Sequence, residues 1–208
     1  MTVSGVSAPV QRYDVTAVRH GQTSWSQSGR HTGWTDIPLD ETGRHQAALA
    51  GSRLVGHEFA LVLTSTLGRA RETCRLAGLG AAAEEDPDLR EWDYGEYDGR
   101  TSRDIARERP DWSLWTDGCP DGEDAAAVAA RADRVIGRCR NAGGPVALFA
   151  HGHLLRVLAA RWVGADPDLG AHLGLSTAAV SVLGWERETP VVSRWNDTSH
   201  LDPFAALG

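Results

Sequence analysis

Two apolar runs in this chain each end in a histidine that is followed by glycine. Residues 15–18 lead into Arg19-His20, and residues 146–150 lead into His151. Ligands of open α/β sheets bind outside the carboxyl ends of the strands, so we expect both imidazoles at one edge of one sheet. Arginine beside the first histidine supplies a planar cation suited to an oxyanion. The pattern therefore predicts phosphate chemistry that uses two histidines.

The overall composition limits what kind of protein this is. The 208 residues are 41% hydrophobic and carry a formal net charge of −7. This length suits a single domain over residues 1–208, with a core at about 14–195 and its own buried interior. The acidic balance argues against a nucleic-acid partner. All 21 basic side chains counted as Lys or Arg are arginine. Lysine chemistry is therefore excluded, and every such cation that could bind a phosphate is a guanidinium.

Cysteine usage and hydropathy indicate a cytoplasmic location. Cys74, Cys119 and Cys139 are scattered without metal-like spacing, which is typical of reduced thiols. No run approaches the roughly 20 apolar residues of a membrane span, and the first residues do not resemble a signal peptide. We expect a small-molecule substrate and no membrane partner. The oligomeric state stays open, with a homodimer among the alternatives.

Alternating strand and helix patterns predict an α/β fold, a three-layer αβα sandwich with a mainly parallel central sheet. A long loop spans residues 21–38, residues 78–89 form a loop with one edge strand, and an insertion over residues 95–122 covers the site. The expected strands lie at 14–18, 61–63, 146–150, 178–183 and 190–195. One helix is expected after Asp40, and a second from Leu67 with Ser65 or Thr66 as its cap. Three more are expected at residues 102–109, 123–140 and 154–163.

Five motifs occur in a fixed order between about residues 14 and 160. They are Arg19-His20-Gly21-Gln22-Thr23, residues 32–39, residues 64–73, residues 89–99 and Ala150-His151-Gly152-His153. Together they resemble the motifs of the histidine phosphatase superfamily, in its phosphoglycerate-mutase-like branch. That resemblance implies the sandwich fold described above.

The resemblance also implies roles for individual side chains in these motifs. His20 would be the nucleophile that forms a phosphohistidine, which requires a neutral ring whose second nitrogen donates to a nearby acceptor. Arg19, Arg69 and a protonated His151 would surround the phosphate with hydrogen-bond donors. From the residues alone, the turns at Gly21, Thr66 and Gly152 would add backbone N–H groups that favour anions.

The leaving group needs a proton, and Glu91 is the candidate acid. Its neighbours Leu89, Trp92 and Tyr94 give an apolar setting which, with the phosphate, would favour the protonated carboxyl. Asp93 and Glu96 are rivals on sequence grounds. Further candidate substrate contacts are Arg30, Thr32, Gly33, Tyr94, Gly152 and Arg156, the last within reach of a second anionic group. His151 and His153 have no matching third ligand, so neither a metal nor another cofactor is expected.

The resemblance leaves the reaction open, because the superfamily contains phosphatases and mutases. Residues 100–110 lack the lysine and adjacent arginines of cofactor-dependent phosphoglycerate mutases, and Ser26 stands where those enzymes have asparagine. The segments around Trp25, Glu91 and Trp115 resemble fungal sedoheptulose-bisphosphatases and actinobacterial acid phosphatases. The favoured function is hydrolysis of small phosphate monoesters, foremost sugar phosphates. The alternatives are a phosphoglycerate mutase and a non-catalytic protein that binds phosphate ligands.

Overall fold

The computed structural model describes residues 11–202, which fold around one six-stranded sheet. The strands are β1 (Val15–Arg19), β2 (Leu61–Ser65), β3 (Ala83–Asp86), β4 (Val146–Ala150), β5 (Val180–Glu186) and β6 (Thr189–Asp197). The α-helices are α1 (Ser24–Gln27), α2 (Glu41–Ser52), α3 (Gly68–Leu76), α4 (Ser102–Glu108), α5 (Leu114–Asp117), α6 (Ala125–Arg140) and α7 (Gly152–Trp162). The first ten and last six residues of the predicted single domain lie outside the described range.

The strand order is β3-β2-β4-β1-β5-β6, and the sheet is mainly parallel, as predicted. Strands β3, β2, β4 and β1 pair in parallel, whereas β5 and β6 are antiparallel to their neighbours. Strand β1 therefore lies beside β4 in the middle of the sheet. This pairing brings the carboxyl ends of β1 and β4 to one edge, where the two histidine-glycine pairs follow.

Helices cover both faces of the sheet, which gives the three predicted layers. Alternate strand residues point to opposite faces. Ala17 and Leu148 belong to the core cluster that includes α6 and α7. Val18 and Phe149 belong to a second cluster, which includes α2 and α3 residues such as Ala50 and Cys74. The apolar runs are buried on both sides because each face has its own helical cover.

Three local predictions differ from the structure, one of them because the insertion over residues 95–122 contains α5 in addition to the expected helix at 102–109. The segment 21–38 contains α1, because Thr23 and Ser26 exchange the hydrogen bonds of a capping box, a signal independent of apolar periodicity. Helix α3 begins at Gly68 without a side-chain cap, so the predicted Ser65 or Thr66 cap is wrong. The hydroxyl of Ser65 accepts from the backbone of Leu67, and that of Thr66 accepts from Arg90.

The edge strand and the cysteines were also the subject of predictions. The edge strand within residues 78–89 is confirmed as β3. All three cysteines are free thiols, and burial raises the pKa of each to about 12.

Across residues 11–202, no helix has both the length and the apolar character that crossing a bilayer requires. In the same part of the chain, no group of three histidine, cysteine or acidic side chains is placed to hold a metal ion.

Candidate active site

The two histidine corners meet at the carboxyl ends of β1 and β4. Arg19 pairs with Ala150 in the parallel register, and the backbone N–H of His20 donates to the Ala150 carbonyl at 2.9 Å. The ring centroids of His20 and His151 are 5.2 Å apart. Both side chains are buried, with exposed fractions of 4% and 0%. The expectation of two imidazoles at one sheet edge is therefore confirmed.

His20 has a defined tautomer. Its Nδ1 lies 2.7 Å from the Gly21 carbonyl, which can only accept, so Nδ1 carries the proton and Nε2 keeps its lone pair. Burial, and then the positive charges of Arg69 and Arg19, hold the pKa of His20 well below 6.5. The ring is consequently neutral at neutral pH, the form that a nitrogen nucleophile requires.

The loop after His20 packs directly against the first turn of α2. A Cβ at Gly21 would lie 2.2 Å from the Gly43 carbonyl oxygen, and a Cβ at Gly43 would lie 2.0 Å from the Gln22 carbonyl oxygen. Only glycine permits this backbone contact. The N–H of Gly21 donates to Thr73 Oγ1 at 3.1 Å, so it is not the free anion donor expected from the sequence.

Arg19 lines the pocket beside His20 and has an unused donor. Its Nη1 donates to the Leu175 carbonyl, whereas its Nε is buried and has no hydrogen-bond partner among residues 11–202. Gly152 lies against this guanidinium, since a Cβ there would be 3.3 Å from Arg19 Cζ. A buried donor without a partner is costly, and an anion bound in the pocket would satisfy it.

Arg69 is fully buried and differs from the free fork that the sequence predicted. Its Nε donates to His151 Nδ1 at 3.2 Å. Its other nitrogens donate to the carbonyls of Thr32, Gly33 and Thr35 at 2.7–3.1 Å. Arg69 therefore holds the loop over residues 32–35 and contributes its charge to the site, where it lowers the pKa of His20.

His151 is neutral, in contrast to the protonated donor expected from the sequence. Its Nδ1 accepts from Arg69, so Nε2 carries the proton and donates to Ser65 Oγ at 2.8 Å. Burial and the charge of Arg69 hold the pKa of His151 well below 6.5, because they disfavour a second buried cation. Both ring nitrogens are thus committed within the protein.

Glu91 is buried at the amino terminus of α7 and lines the pocket. Its Oε1 accepts from the backbone N–H groups of Trp92 and Leu154 at 2.9 and 2.8 Å, and its Oε2 accepts from that of His153 at 3.0 Å. The setting is therefore more polar than the flanking residues suggested. Three fixed donors hold the carboxyl group in one orientation.

Glu91 is the one carboxylate among the pocket-lining residues that the structure describes. Its two rivals lie elsewhere. Asp93 accepts from the Gly95 backbone as the start of a turn, and Glu96 is exposed. The geometry therefore favours Glu91 over both as the acid of the site.

A pocket of about 270 Å³ opens over His20 and contains most of the predicted substrate contacts. Gly33 is the exception, because its N–H donates to Asp98 at 2.8 Å and its carbonyl accepts from Arg69. Predicted residues that line the pocket are Arg30, Thr32, Tyr94, Gly152 and Arg156. Sequence reasoning did not select Ser26, His31, Ser102 and Leu175, and it considered His153 only as a metal ligand.

Neutral hydrogen-bonding groups form part of the pocket wall. Tyr94 Oη and His153 Nδ1 share a hydrogen bond of 2.6 Å, and His31 Nε2 lies 3.1 Å from Ser102 Oγ. Burial raises the pKa of Tyr94 well above 10 and lowers the pKa of both histidines. These side chains are uncharged at neutral pH and are suited to bind hydroxyl groups. Their rings pack together, which no local pattern could indicate.

Arg156 adds a rigid cation to the same pocket. Its Nε and Nη2 donate to the carbonyls of Gly170 and Ala171 at 2.8 and 3.0 Å, and its guanidinium stacks 4.7 Å from the Trp115 ring centroid. It follows Gly152 by four residues on α7, about 6 Å along the helix axis. Arg156 therefore joins Arg19 and Arg30 as a third guanidinium that lines the pocket.

Comparison with known proteins gives a consistent set of similarities. Residues 15–198 match the sequence profile of the histidine phosphatase superfamily, branch 1. An acid phosphatase of Mycobacterium tuberculosis is 38% identical over 95% of this chain and 98% of its own length. A sedoheptulose 1,7-bisphosphatase of Saccharomyces cerevisiae is 37% identical over 71% of this chain and 66% of its own length.

Similarity also extends to a mutase and to a solved structure. A probable phosphoglycerate mutase of Yersinia enterocolitica is 30% identical over 90% of this chain and 94% of its own length. A crystallised open-reading-frame product of Mycobacterium tuberculosis superimposes with a TM-score of 0.85 at 37% identity, covering 89% of this chain and 98% of that one.

Proposed function

The chain belongs to branch 1 of the histidine phosphatase superfamily and is a phosphatase, and we propose that it hydrolyses small phosphate monoesters, sugar phosphates foremost, through a phosphohistidine on His20. The observation that carries the proposal is the neutral His20 ring, which lines the same pocket as Arg19, a guanidinium with one buried N–H that has no partner among residues 11–202. A nucleophile and an anion donor therefore share one cavity.

In the first step the lone pair on His20 Nε2 attacks phosphorus. The N–P bond forms, the ester P–O bond breaks, and the leaving oxygen takes a proton from Glu91. The Gly21 carbonyl accepts from Nδ1 and so stabilises the positive charge that develops on the ring. Arg19 binds the transferred phosphoryl group, and the positive charge of the buried Arg69 stabilises it electrostatically.

In the second step water attacks the phosphohistidine. Glu91, now a carboxylate, accepts a proton from this water, the N–P bond breaks, and inorganic phosphate leaves. His20 returns to its neutral tautomer and Glu91 to its acid form. The neutral ring of His151 holds Arg69 Nε during both steps.

The lining of the pocket supports phosphorylated sugars as the substrate class. Three arginines line it against one carboxylate, although the whole chain is acidic. The neutral wall of Tyr94, His31 and His153 offers partners for sugar hydroxyls. We place this activity in the cytoplasm, without a metal, a cofactor, a nucleic acid or a membrane as partner, in line with the scattered cysteines and the net charge of −7.

A phosphoglycerate mutase is the second candidate, since a probable mutase is among the relatives. The segment 100–110 argues against it. Three of its arginines pair with acidic side chains, and none of its arginines lines the pocket that the structure describes. The pairs are Arg100–Glu108, Arg107–Asp104 and Arg109–Asp117. Phosphoglycerate isomerisation faster than phosphate release would favour the mutase.

The decisive experiment measures turnover and traps the intermediate. Wild-type protein should release phosphate from p-nitrophenyl phosphate and, when quenched during turnover of a labelled phosphate ester, carry the label on His20. His20→Ala should lower kcat on the order of 1,000-fold or more, as expected for loss of a nucleophile. His45→Ala removes an exposed histidine on α2 and serves as control. Label on another residue, or an active His20→Ala enzyme, would refute the mechanism. A wild-type protein that binds phosphate without turnover would instead indicate the non-catalytic alternative.

The acid role of Glu91 is tested with two leaving groups. Glu91→Gln should reduce kcat/KM, which reports the leaving-group step, far more for an alkyl phosphate than for an aryl phosphate, because an aryl oxide leaves without prior protonation. We expect a difference of at least tenfold between the two losses. Equal losses would exclude Glu91 as the proton donor.

A further inference from the structure

A buried ion pair lies behind the segment that carries Glu91. Arg131, on α6, and Glu123, just before that helix, have side chains that are 11% and 17% exposed. Arg131 Nε donates to Glu123 Oε1, and Nη2 donates to Oε2, both at 2.7 Å. This two-point geometry holds both side chains in one arrangement. Neither residue lines the pocket or belongs to the site described above.

The remaining donors of Arg131 bind the backbone of the Glu91 segment. Nη1 donates to the carbonyls of Asp88 and Arg90 at 2.8 and 2.9 Å, and Nη2 donates to the carbonyl of Glu91 itself at 3.4 Å. All five guanidinium N–H groups are therefore used. Three of these N–H groups donate to backbone carbonyls within residues 88–91.

Glu123 binds the other end of the same segment. Its Oε2 accepts from the Asp93 N–H at 2.9 Å, and its backbone carbonyl accepts from the Trp92 indole at 2.8 Å. Its own N–H donates to the Asp93 carbonyl at 2.9 Å. Residues 90–93 belong to no helix or strand, so these contacts order their backbone in place of a regular hydrogen-bond ladder.

We infer that Arg131 and Glu123 are positioning residues that set where Glu91 places its carboxyl group relative to His20. The backbone of Glu91 is held from α6, and its carboxyl oxygens are held from the amino terminus of α7. Proton transfer needs the acid within hydrogen-bond reach of the leaving oxygen, and a displacement of about 1 Å can cost about 100-fold in rate. Geometry of this kind is what a buried, fully hydrogen-bonded ion pair can specify. The inference rests on the proposed acid role of Glu91.

The test compares an alkyl with an aryl phosphate in variants of the pair. Arg131→Gln should reproduce the selectivity of Glu91→Gln in weaker form, with kcat/KM for the alkyl ester falling about threefold more than kcat/KM for the aryl ester. KM should stay within about twofold, because neither residue touches the substrate. Glu123→Gln keeps the shape of the side chain but weakens the pair, and it should shift the same ratio in the same direction.

Arg134→Gln is the matched control. Arg134 lies on the same helix and binds the Asp88 carboxylate at 2.6 and 2.7 Å, but it is exposed and does not reach the carbonyls of Arg90 or Glu91. This variant should leave the ratio of kcat/KM for the alkyl ester to kcat/KM for the aryl ester unchanged. If Arg131→Gln does not fold, Arg131→Lys keeps the charge beside Glu123 but lacks the planar fork, and it should still lower the ratio.

The outcomes separate this inference from the proposed function. If Glu91→Gln shows no leaving-group selectivity, the acid role itself is wrong and the positioning role falls with it. If Glu91→Gln is selective but the folded variants at positions 131 and 123 lose alkyl and aryl activity equally, or lose neither, the pair is only structural and the inference is overturned. A selective loss in those variants, absent in Arg134→Gln, supports it.

Discussion

The close packing of Gly43 against the His20 loop leads to a quantitative prediction for Gly43→Ala. The new methyl group would lie 2.0 Å from the Gln22 carbonyl oxygen, whereas ordinary contact begins at 3.4 Å, so the two backbones must separate by about 1.4 Å. The nearest atoms are backbone atoms on both sides and cannot rotate away. The separation must therefore move the loop relative to α2.

That movement reaches the nucleophile, because Gln22 is two residues from His20. A misplacement of about 1 Å can lower activity about 100-fold, so we expect kcat/KM for p-nitrophenyl phosphate to fall by about that factor. Overpacking costs about 1–3 kcal/mol, while alanine in place of a helical glycine contributes about 0.5–1 kcal/mol of stability. The net loss should lower Tm by a few degrees, at about 2–4 °C per kcal/mol for a chain of this size.

Gly137→Ala is the control, because it makes the same change in a helix where a Cβ would meet nothing within 4 Å. This variant should gain about 0.5–1 kcal/mol in unfolding free energy and keep wild-type activity. Steady-state kinetics and thermal melts of both variants provide the measurement. A Gly43→Ala enzyme with wild-type kcat/KM would refute the reasoning, since it would mean that this contact does not position His20.

Two further predictions concern charge. Burial holds the pKa of His20 and His151 below 6.5 in the folded state, so the unfolded chain binds more protons as the pH falls through 6.5. The free energy of unfolding should therefore be greatest above pH 6.5. As the pH is lowered from there, it should decrease by up to about 1.4 kcal/mol per pH unit for each histidine. A Tm that is flat between about pH 5 and 8 would contradict this. Arg156→Gln should lower kcat/KM at least fivefold more for a sugar bisphosphate than for p-nitrophenyl phosphate. Arg161→Gln changes an arginine of the same helix, α7, that pairs with Asp133 of α6 outside the pocket, and it should leave that ratio unchanged.

Local patterns were sufficient for most elements of the fold. The apolar runs at β1, β2 and β4 and the amphipathic pattern of α6 depend on residues that are neighbours in the sequence, and each was predicted within a few residues. Helix α1 was missed because its stability comes from hydroxyl caps over four residues, too short for an apolar period. The start of α3 was misplaced because the hydroxyls of Ser65 and Thr66 bind other groups, His151 and Arg90 among them.

The motifs placed His20, Arg19 and Glu91 in one pocket correctly, but they could not indicate how the donors are used. Arg69 was expected to bind phosphate with a free fork, whereas its N–H groups bind the 32–35 loop and His151. His151 was expected to be protonated, whereas burial and Arg69 keep it neutral. Each of these outcomes depends on partners that lie far apart along the chain.

Residue types and their order along the chain therefore establish which chemical groups are present and that two strands deliver histidines to one sheet edge. This information is local, since it depends on periodicity and on short motifs. The protonation state of each ring, the donor left unpaired on Arg19 and the support of Glu91 by Arg131 depend on burial and on contacts across the fold. A hydrogen-bonding group has several possible partners, and only folding determines which of them it meets.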